Sequence, residues 1–201
     1  MLVIVDYGVG NLGSLLNMCK YIGVDAQLGN TKEQILSASH LLLPGVGAFD
    51  KGMNSLNESG LIDALNEAVL QRKIPVLGIC LGMHMMTSRS EEGTLPGLKW
   101  IDASVKRICT NGEVKVPHMG WSRLDISVDS KIFSMTEKDS RYYFVHSYCV
   151  KCKNEDDSAA QVVYGERFDV AFERENIFGV QFHPEKSHHF GMQILKNFIN
   201  S

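Results

Sequence analysis

Three residues of this sequence could act together as a nucleophile, a base and an orienting carboxylate. Cys80 lies between Gly78 and Gly82, directly after an apolar run, and a His183-Pro-Glu185 segment follows far along the chain. A cysteine at a glycine-flanked turn from strand to helix has the form of a nucleophile elbow. In an extended segment, Glu185 lies on the same side as His183, where its carboxylate can fix the histidine tautomer and stabilise an imidazolium. The pattern indicates thiol-based nucleophilic catalysis.

Both segments also have a plain structural interpretation. A cysteine in an apolar strand is commonly an inert core side chain, and for the segment around Cys80 alone the two interpretations weigh equally. The histidine and glutamate could be an incidental pair in a surface turn. Catalysis is favoured because both segments follow predicted strands, at the edge where open α/β sheets place their sites. A following helix would also favour the thiolate form of Cys80.

The glycine-rich segment Pro44-Gly-Val-Gly47 could bind an anion. It ends the apolar run Leu41–Leu43, and glycine-rich backbone at the end of a strand can present N–H groups to a developing negative charge. The segment is therefore a candidate oxyanion wall, and the alternative is an ordinary tight turn.

Three other motifs are not expected to carry chemistry. Gly8–Gly13 matches the dinucleotide fingerprint G-x-G-x-x-G, but the next predicted strand does not end in the acid that binds the ribose, so nucleotide binding is not favoured. Cys149 and Cys152 form a C-x-x-C without a second ligand pair, inside a predicted strand where their side chains face opposite ways. His188-His189 is expected in a solvated loop. We expect no metal and no cofactor.

The first half of the chain predicts the sheet that must position these residues. Three apolar runs, Leu2–Val5, Leu41–Leu43 and Val76–Ile79, alternate with helical patterns. Strands alternating with helices predict an open, mostly parallel sheet flanked by helices. Thr31 and Gln34 have capping-box spacing, and Gly23 stands where a helix commonly ends.

The second half predicts added antiparallel strands. Trp100–Ile108 precedes Asn111-Gly112, a dipeptide typical of two-residue hairpin turns. Arg141–Val150 and Phe168–Phe182 also have the composition of strands, the second bent near Arg174, and Phe190–Phe198 has helical spacing. The predicted fold is thus α/β, with an antiparallel extension in the C-terminal half.

Composition limits the broad class. The 201 residues, 44% of them hydrophobic, are enough for one domain, which we place at residues 1–201. The net charge of −3 gives no basic surface for nucleic acid. Residues 74–86 are too short and too interrupted to span a membrane, residues 1–6 show no signal peptide, and five cysteines suit a reducing cytoplasm.

The motifs around Cys80 and His183 together resemble the class I glutamine amidotransferases, whose glutaminase domain uses a Cys–His–Glu triad. More narrowly, the sequence is similar to the glutaminase subunits of imidazole glycerol phosphate synthase. Four further segments carry that resemblance, which extends over essentially the whole chain: Asp6–Asn11, Leu43–Phe49, Pro117–Trp121 and Phe144–Tyr148.

The resemblance implies a reaction and a partner. Cys80, His183 and Glu185 would hydrolyse L-glutamine to glutamate and ammonia, which would pass to a (β/α)₈-barrel cyclase partner in a heterodimer. That partner makes imidazole glycerol phosphate and AICAR in histidine biosynthesis. Further roles are implied by position: an oxyanion hole at Val46, Gly47 and Leu81; substrate contacts at Gly47, His84, Ser147 and Tyr148; and a partner interface at Asn11, Met119, Trp121 and Lys186. The segment Pro44–Gly47 would rearrange when the partner's own substrate binds.

Two features depart from the family pattern. His84 stands where the family usually has a substrate-binding glutamine, which affects substrate affinity or its pH dependence. The segment Gly97–Ala103 is closer to paralogous subunits of surface-glycan gene sets. The alternative function is therefore to supply ammonia for an amidino group on a sugar.

Overall fold

The first half of the chain alternates strands and helices, as predicted. A computed structural model describes residues 1–110, 112, 114–127 and 129–201. The elements of this half are β1 (Leu2–Val5), α1 (Leu12–Tyr21), β2 (Ala26–Gly29), α2 (Lys32–Leu36), β3 (His40–Gly45), α3 (Phe49–Glu58), α4 (Ile62–Asn66), continued by a π-helical turn at Glu67–Gln71, β4 (Val76–Cys80) and α5 (Leu81–Met85).

The second half is mostly strands. Its elements are β5 (Ala103–Arg107), β6 (His118–Ser122), β7 (Asp125–Ile126), β8 (Tyr142–His146), β9 (Tyr148–Cys152), β10 (Ser158–Tyr164), β11 (Glu166–Arg174), β12 (Ile177–Val180) and α6 (His188–Ile199). Short 3₁₀ turns at Glu155–Asp157 and Pro184–Lys186 precede β10 and α6.

One large mixed sheet joins the two halves. Its strand order is β2-β1-β3-β4-β12-β11-β10-β7, with β9 pairing with β11 and β5 pairing with β9. Strands β2, β1, β3, β4 and β12, in that order across the sheet, are parallel. Strands β11, β10 and β7 extend the sheet with antiparallel pairing. The α/β fold with its antiparallel extension is therefore confirmed. Among the described residues, no helix combines the length and apolar character needed to cross a bilayer.

The central parallel strands β1, β3, β4 and β12 are buried on both faces, and their alternate side chains enter opposite cores, whereas the edge strand β2 is partly exposed. In β1, Val3 and Val5 belong to one hydrophobic core, while Leu2 and Ile4 belong to the other. Helices α3, α4 and α5 cover the first core, and α1 and α6 cover the second.

Local signals fix two helix ends. Thr31 Oγ1 accepts a hydrogen bond from the Gln34 N–H, and the Gln34 side chain accepts one from the Thr31 N–H, so the predicted capping box is confirmed. Helix α1 ends before Gly23, whose φ of +76° is the left-handed conformation expected after a helix.

The hairpin predicted around Asn111-Gly112 is wrong in its pairing. Asn111 itself lies outside the described residues. The strands on either side of it pair elsewhere: β5 with β9, and β6 with β8 in a separate two-stranded sheet. The strand predicted at Arg141–Val150 is two strands, β8 and β9, separated at Ser147.

Candidate functional site

Cys80 lies at a sharp turn between β4 and α5. Its φ of 54° and ψ of −110° are costly for a residue with a side chain, of order 1–3 kcal/mol. The flanking glycines permit the turn, because a Cβ at Gly78 would lie 2.6 Å from Met86 Sδ and one at Gly82 would collide with the Leu43 carbonyl. The predicted elbow is confirmed, although α5 has only five residues and contributes only a short dipole.

His183 and Glu185 are held in the turn that follows β12. His183 Nδ1 lies 2.9 Å from Glu185 Oε1, and the two side chains are only 3% and 4% exposed. The prediction that this segment is extended is wrong, because Glu185 lies in the 3₁₀ turn after His183. The predicted contact between the two side chains is nevertheless present. The His183 N–H donates to the Tyr143 carbonyl of β8 at 3.0 Å, and Ser187 Oγ donates to the His183 carbonyl at 2.7 Å.

The electrostatics of this group favour a protonated His183. Burial by itself lowers the pKa of His183, but hydrogen bonds and negative charge from Cys80 and Glu185 raise it to about 9. Glu185 Oε2 is buried without a hydrogen-bond partner among the described residues, so His183 provides the main compensation for the carboxylate charge. At neutral pH the arrangement therefore places an imidazolium beside Cys80.

A cavity of about 420 Å³ opens onto Cys80. Seven of its lining residues are Gly47, Leu81, His84, Glu92, His146, Ser147 and Tyr148. It therefore brings together all four residues that the resemblance suggested as substrate contacts. Sequence reasoning missed Glu92, whose carboxylate accepts a hydrogen bond from the Phe49 N–H at 3.0 Å and whose pKa is raised by burial. No local motif marks Glu92.

The segment Pro44–Gly47 borders the nucleophile directly. Strand β3 extends to Gly45, two residues beyond the predicted end at Leu43. Gly45 lies in register with Cys80 on β4. The Tyr7 hydroxyl donates to the Pro44 carbonyl at 2.6 Å, and burial together with the nearby Cys80 raises the pKa of Tyr7. Gly47 has a φ of +98° and lines the cavity, while the Val46 side chain is exposed.

His84 is buried and makes a contact that the sequence did not suggest. Its Nε2 lies 2.6 Å from Oε1 of Gln181, and Gln181 Nε2 lies 3.7 Å from Cys80 Sγ. Burial lowers the pKa of His84 to about 4, so its ring is neutral at pH 7.

Two further buried histidines form a hydrogen-bonded chain beside the cavity. His146 Nδ1 contacts the Tyr148 carbonyl at 2.7 Å, His146 Nε2 contacts His118 Nδ1 at 2.9 Å, and His118 Nε2 contacts Ser122 Oγ at 2.8 Å. Burial lowers the pKa of His118 to about 4 and that of His146 to about 3. We refer to His84, His118 and His146 as the neutral histidines.

An exposed surface lies on the other face of β6 and β8. Met119 is 60% exposed and Trp121 is 44% exposed. The Trp121 ring stacks on His188 at 5.4 Å, and Lys186 Nζ lies 5.8 Å from the centre of the Tyr143 ring. We call these five residues the aromatic patch. Asn11, the fourth residue suggested for a partner interface, is exposed at the start of α1, after the Gly10 loop that packs on Pro44.

The remaining motifs are not part of this site. Cys149 and Cys152 face opposite hydrophobic cores, as predicted. The prediction of a loop at His188-His189 is wrong, because both residues begin α6. Within the described ranges, no cluster of histidine, cysteine and acidic residues could hold a metal ion.

Comparison with known proteins agrees with this geometry. The family model for class I glutamine amidotransferases matches residues 3–201. The chain is 50% identical to imidazole glycerol phosphate synthase subunit HisH 2 of Pseudomonas aeruginosa, over 99% of this chain and 98% of that protein. It is 49% identical to the protein of the same name from Methanococcus maripaludis, with the same coverage. A solved glutamine amidotransferase structure has the same fold, with a TM-score of 0.75 at 18% identity over 98% of this chain and 97% of that one. The chain therefore belongs to the class I glutamine amidotransferase family.

Proposed function

We propose that this chain is the glutaminase subunit of an imidazole glycerol phosphate synthase, and that Cys80, His183 and Glu185 are its catalytic triad. The observation that carries the proposal is the buried His183–Glu185 pair beside Cys80, at a cavity of about 420 Å³. Ligand cavities for small molecules commonly measure about 300–1,000 Å³. The names of the relatives supply the pathway.

The reaction proceeds in two stages. The Cys80 thiolate attacks the side-chain carbonyl carbon of glutamine, and the charge that develops on the oxygen is stabilised by backbone N–H groups of Val46 or Gly47 and of Leu81. The carbon–nitrogen bond then breaks, with the His183 imidazolium donating a proton to the leaving ammonia. Neutral His183 next takes a proton from water, the resulting hydroxide attacks the thioester, and glutamate leaves as the Cys80 thiolate is restored.

The cavity walls provide groups for the amino-acid end of glutamine. Glu92 is the acidic side chain among the described lining residues, and its carboxylate fits the α-ammonium group. Gly47, Ser147 and Tyr148 offer backbone and hydroxyl groups for the α-carboxylate, and His84 closes the inner wall.

The aromatic patch together with Asn11 is the proposed surface for the (β/α)₈ cyclase, in a heterodimer. Exposed tryptophan and methionine side chains are typical of interface centres. The patch is also linked to the triad, because the Tyr143 carbonyl accepts the His183 N–H and the Tyr143 N–H donates to Ser187 Oγ at 3.0 Å. A partner bound to this surface would therefore contact β8, the strand that is hydrogen-bonded to His183 and Ser187.

The histidine pathway is favoured over the surface-glycan alternative because the relatives carry the name of the synthase subunit. We also propose one amidotransferase domain over residues 1–201, since the family model spans nearly all of the chain. A cytoplasmic location is proposed from the free thiols of Cys19, Cys80, Cys149 and Cys152.

Two measurements test the proposed function. A diazo-ketone analogue of glutamine should label Cys80, and a mass-spectrometric adduct on any other cysteine would overturn the nucleophile assignment. Glutamine hydrolysis should rise strongly when the cyclase and its nucleotide-derived substrate are added. Normal complex formation without such stimulation would contradict the histidine-pathway assignment.

A further inference from the structure

The side-chain amide of Gln181 contacts the nucleophile but has no role in the two-stage reaction above. Gln181 follows the last residue of β12 and precedes the turn that holds His183 and Glu185, and its side chain is completely buried. Its backbone N–H donates to the Val170 carbonyl at 2.8 Å, which holds it against β11. Its Nε2 lies 3.7 Å from Cys80 Sγ, within hydrogen-bonding distance of a sulfur acceptor.

His84 determines which end of this amide faces the sulfur. Oε1 of Gln181 can only accept, so the 2.6 Å contact requires a hydrogen on His84 Nε2. With Oε1 engaged in this way, the NH₂ group of Gln181 must face Cys80. The reverse orientation would place a carbonyl oxygen against a negatively charged sulfur. The two contacts therefore form a directed chain from the imidazole through the amide to the sulfur.

We propose that Gln181 donates a hydrogen bond to the Cys80 thiolate, and that His84 is a positioning residue that holds the amide in the donating orientation. The inference rests on the proposed function, because it assumes that Cys80 acts as a thiolate. It gives the histidine at this position a task other than the substrate contact suggested by the family pattern.

The other titratable groups around the sulfur explain why such a donor matters. His183 supplies the positive charge, with Glu185 behind it, and Tyr7 is held neutral with its hydroxyl on the Pro44 carbonyl. When the thioester is hydrolysed, the sulfur must leave as an anion while His183 has just received a proton from water. The Gln181 amide carries no titratable proton, so it stabilises the sulfur at both stages.

The reaction of Cys80 with iodoacetamide tests this proposal without glutamine or partner. The full-length chain is alkylated over a range of pH, and the Cys80 peptide is quantified by mass spectrometry because Cys80 is only partly buried and Cys109 is exposed. Gln181→Met removes the donor, and His84→Leu removes the group that orients it. We expect both to react about tenfold more slowly on the acidic side of the profile, because the thiolate loses a hydrogen-bond donor.

Two matched variants separate positioning from general damage. His84→Gln keeps a side-chain N–H donor and should retain the parent profile, while Gln71→Met makes the same substitution at an exposed position and should change nothing. Parent-like profiles in folded Gln181→Met and His84→Leu proteins would overturn the proposal. If Gln181→Met fails to fold, the contrast between His84→Leu and His84→Gln decides it. If the variants shift as expected but the parent protein shows no cyclase-stimulated glutamine hydrolysis, the result counts against the proposed function and leaves this inference standing.

Discussion

The Glu185 carboxylate should set the pH range in which the proposed catalytic triad is active. Its Oε1 lies 2.9 Å from His183 Nδ1 in a buried environment. Glu185→Gln keeps the size of the side chain and an accepting oxygen but removes the charge. An opposite charge this close commonly shifts a pKa by about 1–3 units, so the pKa of His183 should fall from about 9 to roughly 6–8.

The effect on rate follows from this shift. In the proposed mechanism His183 must be an imidazolium to protonate the leaving ammonia, so the rate at a given pH follows the fraction of His183 that carries the proton. The protonated fraction at pH 7 would fall from nearly complete to roughly 0.9 for a one-unit shift and roughly 0.1 for a three-unit shift, so we expect kcat at pH 7 to fall by at most about tenfold. The alkaline limb of the pH–rate profile should move from near pH 9 to roughly pH 6–8, because the imidazolium is lost at lower pH.

The assay is glutamate release from glutamine, in the presence of the cyclase, at neutral and alkaline pH. Glu175→Gln is the matched control, because Glu175 forms an exposed ion pair with Lys73 on the molecular surface. The control should keep the parent rate and profile. An alkaline limb in Glu185→Gln at the same pH as in the parent would refute the proposed role of the carboxylate.

Three further outcomes are expected. Gly82→Ala should lower the free energy of unfolding by about 1–3 kcal/mol in urea titrations, because its Cβ collides with the Leu43 carbonyl, whereas Gly13→Ala in open space on α1 should not destabilise the fold. Trp121→Ala should weaken binding of the cyclase in calorimetry by about 2 kcal/mol, and Val163→Ala, exposed on β10, should leave it unchanged. The neutral histidines bind protons more weakly in the fold than when unfolded, so the urea midpoint should drop as pH falls below about 6.5. His183 has the opposite sign: its raised pKa stabilises the fold below about 6.5, and that contribution is lost as pH rises through about 9.

The elements that could be predicted from sequence are those governed by short-range signals. The capping box at Thr31 and the glycine-flanked turn at Cys80 involve residues a few positions apart, so spacing alone defines their geometry. Strands β1, β3 and β4 were predictable because both of their faces are buried, which leaves continuous apolar runs.

The parts that could not be predicted depend on distant partners. The hairpin around Asn111 failed because β6 pairs with β8, where His118 stacks on Phe144 and buries one face of the two-stranded sheet. The Glu92 carboxylate in the cavity and the amide of Gln181 gave no signal, because their contacts join residues 43 and 97 positions away.

The histidine chain from Ser122 to Tyr148 also gives the molecule a built-in spectroscopic reporter. The Tyr148 carbonyl can only accept, so neutral His146 carries its hydrogen on Nδ1 and leaves Nε2 bare. His118 must then donate from its own Nδ1, and its bare Nε2 accepts the Ser122 hydroxyl. Both rings are thereby held in one tautomer, and ¹⁵N shifts of the two imidazoles report on the cavity wall at one end and on the strand bearing Trp121 at the other. Complex formation and pocket geometry can thus be read from the same two rings, without a dye or a substitution.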